Sequence, residues 1–365
     1  MSFYALGSNG AGQLCLGHIQ DLSVPTLFPA HSRTPIKQIA CGGNHTILLY
    51  ASGTTEGYGD NAQAQCGYPT SFEALDKIKG GHPLFVQHSA DEVRQRLHVK
   101  QVSATWKASI CLCSDGRVKV CGEGLHGELG LGEGRTDSLN PCAIEEFPPM
   151  GTEVVQIASG MAHTVAVMSN GDVWGWGKGG QGQLGEPAKD VWSPRKIEGL
   201  PFGVAKAVCG KDFTFVVGTR ASGKLRVIGL NKRDRFGLKT NLPSAVSGWK
   251  DIAASWGSVF ILGEHGKLRG FGRDDHGQLP PSDLPFVEAI AAGSEHCLAL
   301  TKGGKVLAWG WGEHGNCGEP TDERGDVSGH FNVLDVLEPI GGLFAGCATS
   351  FITTHDAELQ SGRYG

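Results

Sequence analysis

Seven stretches of the chain repeat one alternation of apolar and polar positions. They are IACGGNHTILL from Ile39, VSATWKASICL from Val102, IASGMAHTVAV from Ile157, AVCGKDFTFVV from Ala207, IAASWGSVFIL from Ile252, IAAGSEHCLAL from Ile290 and LFAGCATSFIT from Leu343. Each reads as two short strands joined by a tight loop. The segments SDGRVKVCG, SNGDVWGWG, ASGKLRVIG, EHGKLRGFG and KGGKVLAWG add a hairpin turn and a further strand, since DG, NG and GG pairs mark two-residue turns. A second motif interleaves with the first, from YALGSNGAGQLCLG at Tyr4 through WGWGKGGQGQLG at Trp174 to WGWGEHGNCG at Trp309. Aligned on one glycine, its copies fall at Gly7, Gly59, Gly122, Gly177, Gly229, Gly272 and Gly312, at intervals of 52, 63, 55, 52, 43 and 40 residues.

Each unit of roughly 50 residues supplies a small antiparallel sheet of some four strands, which cannot bury itself alone. Such units close as blades around an axis, and seven is within the usual range. The expected fold class is therefore all-β, a single seven-bladed β-propeller over residues 1–355, with 356–365 a solvated tail. The chain opens midway through a unit, with FYALG, and ends midway through another, with GCATSFITT. An open ring exposes sheet edges, so these half-units are expected to complete one blade by pairing. Trp174, Trp176, Trp309 and Trp311 are expected between blades or across their strands.

Composition agrees with this pattern. Glycine accounts for 56 of 365 residues, about twice the usual share, with no three-residue period and no proline enrichment. The formal charge of −5 and pI near 6.3 leave no overall basic field for nucleic acid, and no direct nucleic-acid contact is expected. The opening MSFYALGSNG lacks the basic and apolar regions of a signal peptide, and no apolar stretch approaches membrane-spanning length. The eleven cysteines are accordingly read as reduced, intracellular and mostly buried as small apolar residues. Three segments break the period: 68–99, which carries ADEVRQRLH as a short helix candidate, then 133–152 and 319–342.

The motifs that suggest chemistry are better explained by the repeat. GxGxxG occurs at 122–127, 175–180 and 310–315, but no helical period follows to set a pyrophosphate against a helix N-terminus. There is no Walker loop, GxSxG, HExxH or CxxC. Cys111 and Cys113 point to opposite faces of one strand, which speaks against zinc. No catalytic residue, cofactor or metal is expected. His45, His163 and His296 recur at one strand-start position, occupied elsewhere by Ala108, Phe213, Ser258 and Thr349. They read as buried groups bonded to blade backbone. His126 and His314 share a loop position and are expected to be exposed.

Departures from the repeat carry more information. Trp106 in SATWKAS and Trp256 in AASWGSV stand in loops where the pattern needs no tryptophan. Equivalent loops open on one face of a ring, so both belong to the same rim. They either fill the mouth of the axial channel or anchor a partner protein, tryptophan being the residue most enriched at interface hot spots. The candidate partner-binding set is Trp106, Lys107, Lys211, Asp212, Trp256, Glu295, His296, Glu313 and His314.

The paired motifs IACGGNHT and GQLGLG, with YALGSNGAGQLCLGH, GSEH, WGWGEHGNCG and GCATSF, resemble the regulator-of-chromosome-condensation family along the whole chain. Within it the chain is most similar to the fungal alpha-tubulin-suppressor group, counted among the killer-toxin-insensitivity proteins. The resemblance implies a non-catalytic propeller that forms a heterodimer with a small CSL-type zinc-finger protein of diphthamide biosynthesis, an electron carrier. It further implies support for diphthamide formation on elongation factor 2 and for Elongator-dependent wobble-uridine modification of tRNA. Elongator and the diphthamide enzymes would be indirect partners, in cytoplasm and nucleus. Two family features are missing. Chromatin-binding members carry a basic N-terminal tail, whereas this chain enters its first strand at Phe3. Its exchange factor uses a β-hairpin wedge that has no convincing counterpart here. Guanine-nucleotide exchange on a small GTPase is the alternative.

Overall fold

The structure, a computed structural model, describes residues 2–28, 34–67, 98–230 and 232–355. The described residues form seven antiparallel sheets. Blade 1 comprises Ile36–Cys41, His45–Tyr50 and Thr55–Gly59. Blade 2 comprises Val99–Ala104, Ala108–Cys113, Val118–Glu123 and Asp137–Ala143. Blade 3 runs from Val154–Ser159 to Val191–Lys196, blade 4 from Lys206–Cys209 to Leu225–Gly229, blade 5 from Trp249–Ala254 to Leu268–Gly272, and blade 6 from Val287–Ala292 to Asp326–Leu334. The first strand of every blade packs against the first strands of both neighbouring blades, which closes a ring of seven around the axis.

Closure falls in blade 7, as the half-units require. Phe3–Gly7 lies between Thr349–Thr354 and Leu22–Leu27, with Ile340–Ala345 innermost. Phe3 is opposite Thr353 and Gly7 opposite Thr349. Phe3 and Phe351 stack at 5.6 Å inside this seam, where Phe351 is fully buried, so the chain ends are joined by core as well as by ladder hydrogen bonds.

The glycine that organises each blade sits opposite the first residue of the second strand. Gly59, Gly122, Gly177, Gly229 and Gly272 hold this place with positive φ, as does Gly7 in blade 7. In blade 6 it is Gly310, paired with His296 at φ 105°, and not Gly312. A Cβ on Gly310 would lie 2.6 Å from the Glu295 carbonyl oxygen. The two WGWG segments are thus offset by two residues. Trp309, not Trp311, takes the place of Trp176. Both are fully buried, and each donates its indole N–H at 3.0 Å to a carbonyl of the preceding blade, Trp176 to Glu128 and Trp309 to Gln278. Trp174 leans on Phe147, and Trp311 stacks on His276 at 5.1 Å.

The four-strand expectation holds for blades 2, 3, 6 and 7, while blades 1, 4 and 5 have three strands among the described residues. In blades 4 and 5 the short intervals leave too little chain for an outer strand, and blade 4 has instead a four-residue helix, Leu238–Asn241. The segments 133–152 and 319–342, which break the repeat period, contain the outer strands Asp137–Ala143 and Asp326–Leu334. Residues 68–97, with all of ADEVRQRLH except His98, and the expected tail 356–365 lie outside the described residues. All eleven cysteines are free, seven of them buried. Burial pushes the thiols of Cys41, Cys121 and Cys209 up to about 12, which keeps them protonated and inert.

Candidate protein-docking face

In each blade the first and third strands end at the same face, so the loops after them open there together. At the centre of this face Trp106 of blade 2 meets Trp256 of blade 5 nearly across the axis, ring centroids 5.7 Å apart and tilted by 45°. Both rings are partly exposed. A cavity of about 120 Å³ at the mouth is lined by residues of all seven blades, including both tryptophans, Met161 and Cys347.

The rim that holds the pair is stitched from blade to blade by backbone hydrogen bonds. Gly43 N–H donates to Trp106 O and Trp106 N–H to Met161 O, at 2.9 and 2.8 Å. On the other side Lys211 N–H donates to Trp256 O, Trp256 N–H to Ser294 O and Ser294 N–H to Gly346 O, at 2.9–3.0 Å. Gly43 has no side chain because the Trp106 ring occupies that space, 2.6 Å from where its Cβ would be. The Lys211 ammonium lies over the Trp256 ring, 5.7 Å from its centroid.

Around this centre the sequence-derived candidates divide into two groups. Exposed on the face are Lys107, paired with Glu123 at 2.7 Å, then Lys211, Glu313, and His314, whose Nδ1 lies 2.9 Å from Asp21 of blade 7. Asp212 is half-buried. Glu295 and His296 do not form part of an exposed rim, because both are buried. The Glu295 carboxylate accepts from the Arg273 guanidinium and, at 2.9 Å, from the Gln278 amide. Burial raises its pKa, against the lowering influence of Gln278 and Arg273.

The repeating histidines bridge blades through side-chain hydroxyls, and His163 and His296 also bond to the backbone of Phe213 and Thr349 in the next blade. His45 Nε2 lies 3.0 Å from Ser109 Oγ, His163 Nε2 3.0 Å from Thr214 Oγ1, and His296 Nε2 2.9 Å from Ser350 Oγ, each hydroxyl belonging to the next blade. Each hydroxyl in turn donates to a loop carbonyl of the histidine's own blade, Gln65, Gln183 or Asn316. The hydroxyl proton is thereby used, so Nε2 is the imidazole donor and Nδ1 carries the lone pair. Burial depresses all three imidazoles to a pKa of about 4, which keeps them neutral.

Sequence reasoning missed His276. Its Nδ1 is 2.8 Å from Asp326, an inter-blade pairing of the same kind as His126 with Asp190 and His314 with Asp21. The segment GRDDHGQLP held the signal, since His276 occupies the loop position of His126 and His314. Arg273 was missed as well, because its partner Glu295 comes from the next blade.

Residues 2–352 match the RCC1-like domain family. This chain belongs to the RCC1-like propellers. An RCC1 repeat-containing protein of Schizosaccharomyces pombe is 32% identical over 342 residues, covering 88% of this chain and 90% of that one. The secretion-regulating guanine nucleotide exchange factor of Mus musculus is 28% identical over 371 residues, covering 88% of this chain and 76% of its relative. Among solved structures, Prp20p of Saccharomyces cerevisiae superimposes with a TM-score of 0.81 at 22% identity, covering 99% of this chain and 93% of its own. Human WBSCR16 gives 0.78 at 18% identity, covering 98% and 99%. At these identities the two structures establish the fold alone.

Proposed function

We propose that this RCC1-like propeller is a non-catalytic binding protein that holds a small CSL-type zinc-finger electron carrier over the face centred on Trp106 and Trp256. The heterodimer would support diphthamide synthesis on elongation factor 2 and Elongator-dependent wobble-uridine modification, in cytoplasm and nucleus. The observation that carries the reading is the tryptophan pair, two large rings in contact at the mouth of the channel and still partly open to solvent. Two aromatic rings fixed by an inter-blade hydrogen-bond belt offer a partner much apolar area at little further loss of conformational freedom. The propeller would contribute binding and orientation, and redox chemistry would belong to the zinc protein. Among the described residues no group of three or more His, Cys, Asp or Glu side chains is placed to hold a metal.

Titration of the purified zinc protein into the propeller by calorimetry tests this. One-to-one binding is expected, and no heat at micromolar concentrations at two well-separated temperatures would refute it, since burial of apolar rings makes the binding enthalpy vary with temperature. Guanine-nucleotide exchange is the second reading, favoured by the similarity to the mouse exchange factor. Accelerated nucleotide release from any of a panel of loaded small GTPases would support it over the first.

A further inference from the structure

The charges on the docking face are unevenly divided between blades. Cations outnumber acids in the loops of blades 3 and 4, which also carry Glu186 and Asp212, and acids outnumber cations in the loops of blade 6, which also carry Arg324. The third- and fourth-blade loops on this face carry Lys178, Lys189, Lys211, Lys232, Arg233 and Arg235, all exposed except the half-buried Lys178. No carboxylate among the described residues forms an ion pair with any of them. The acids nearest in sequence are partly engaged elsewhere. Asp234 accepts from the backbone N–H groups of Leu238 and Lys239, and Asp190 from Gly179 N–H while pairing with His126.

The cations lie on loops of two neighbouring blades at the same face as the tryptophans, and their loops are held by backbone hydrogen bonds. Lys178 N–H is tied to Ala162 O in the first loop of blade 3, Lys211 to Trp256, and Leu230 N–H to Asp212 O. The Arg235 and Arg273 guanidinium groups lie over the Phe236 ring at 5.2 and 5.5 Å, which joins the blade 4 loop to blade 5. Across the axis, the blade 6 loops expose Glu313, Glu319, Asp322 and Glu323. The loops of blade 2 are mixed, exposing Glu133 and Asp137 together with Arg135 and Lys107, the last paired with Glu123.

We infer that the partner seated on the tryptophan pair is an acidic, bipolar protein surface, oriented with its carboxylates over blades 3 and 4 and its basic edge over blade 6. This rests on the reading of the face as a docking site and adds the partner's charge and orientation. A net charge of −5 steers acidic partners away from the molecule as a whole. A local excess of cations therefore selects a compact acidic surface that reaches it without crossing the acidic loops of blade 6. A nucleic acid strand fits less well, because its phosphates would run from these cations onto the carboxylates of blade 6.

The test uses the full-length chain with the triple substitution Lys189→Glu, Lys232→Glu and Arg233→Glu, all exposed side chains, for which an unchanged melting temperature is expected. Association with the zinc protein is followed by stopped-flow at low and high salt. The expected result is binding weaker by about tenfold or more at low salt, with the loss in the association rate and largely abolished at high salt. An unchanged affinity and salt slope in the triple variant, with Trp256→Ala still weakening the complex, would overturn the charge assignment while the docking face stood. If the zinc protein fails to bind the unmodified propeller, the proposed function falls, and a fluorescent oligoglutamate peptide becomes the probe. Binding of that peptide to the unmodified chain and not to the triple variant supports the charge assignment, whereas no binding to either overturns it. Tighter binding of a single-stranded RNA of equal length than of the peptide would also overturn it, in favour of nucleic acid.

Discussion

At the scale of single residues, Trp256 has two separable contributions. It packs on Trp106 and carries Lys211 over its ring, but it remains partly exposed, so its removal opens a mouth and not a core. Trp256→Ala is expected to weaken the partner complex by about 2 kcal/mol or more. It should leave the melting temperature nearly unchanged. Unchanged affinity with a lowered melting temperature would make the ring a plug. The buried histidines set an acid limit instead. Their folded pKa of about 4 lies below the unfolded value of about 6.5. Between those values the unfolded chain binds protons that the folded chain does not. Stability is therefore full above pH 6.5 and falls as pH drops toward 4, by about 3 kcal/mol for each histidine. Phe213 fills the equivalent place in blade 4 without a titrating group. His163→Phe is accordingly expected to flatten denaturant-measured stability against pH by one proton in that window. An unaltered slope would mean that His163 does not limit acid stability.

At the scale of elements, the strands were legible in the sequence because each blade repeats the same alternation and the same turn signals. The register of one strand was not. A slip of two residues keeps every side chain on its own face, so the alternating pattern fits Gly310 and Gly312 equally well. What separates them is steric. Only the glycine opposite His296 must take positive φ against the Glu295 carbonyl. The outer strands were hidden for another reason: Asp137–Ala143 has one buried position, and the four buried positions of Asp326–Leu334 do not alternate along the strand. Ring closure was legible from the two half-units alone. A chain ending at Ala345 loses the strand that joins Phe3–Gly7 to Ile340–Ala345 and exposes both edges. Its thermal unfolding is expected to lose cooperativity and shift well below that of the full chain. A truncated protein that melts like the intact one would contradict closure by these strands.

At the scale of the whole molecule, the sequence revealed the propeller and the unusual tryptophans but not how they are combined. Trp106 and Trp256 are 150 residues apart, and their contact exists only because the ring closes. The burial of Glu295 and the division of charge between blades 3–4 and blade 6 likewise depend on which blades are neighbours, which net charge cannot report. The central claim is that one face, the one carrying the tryptophan pair, is where a partner sits. Amide hydrogen exchange of the full chain, free and saturated with the zinc protein, tests it most directly. Protection on binding is expected in the loops around 104–107, 209–212 and 254–257, with the turns of the opposite face, such as 114–117 and 264–267, unchanged. Protection confined to those opposite turns would contradict the account.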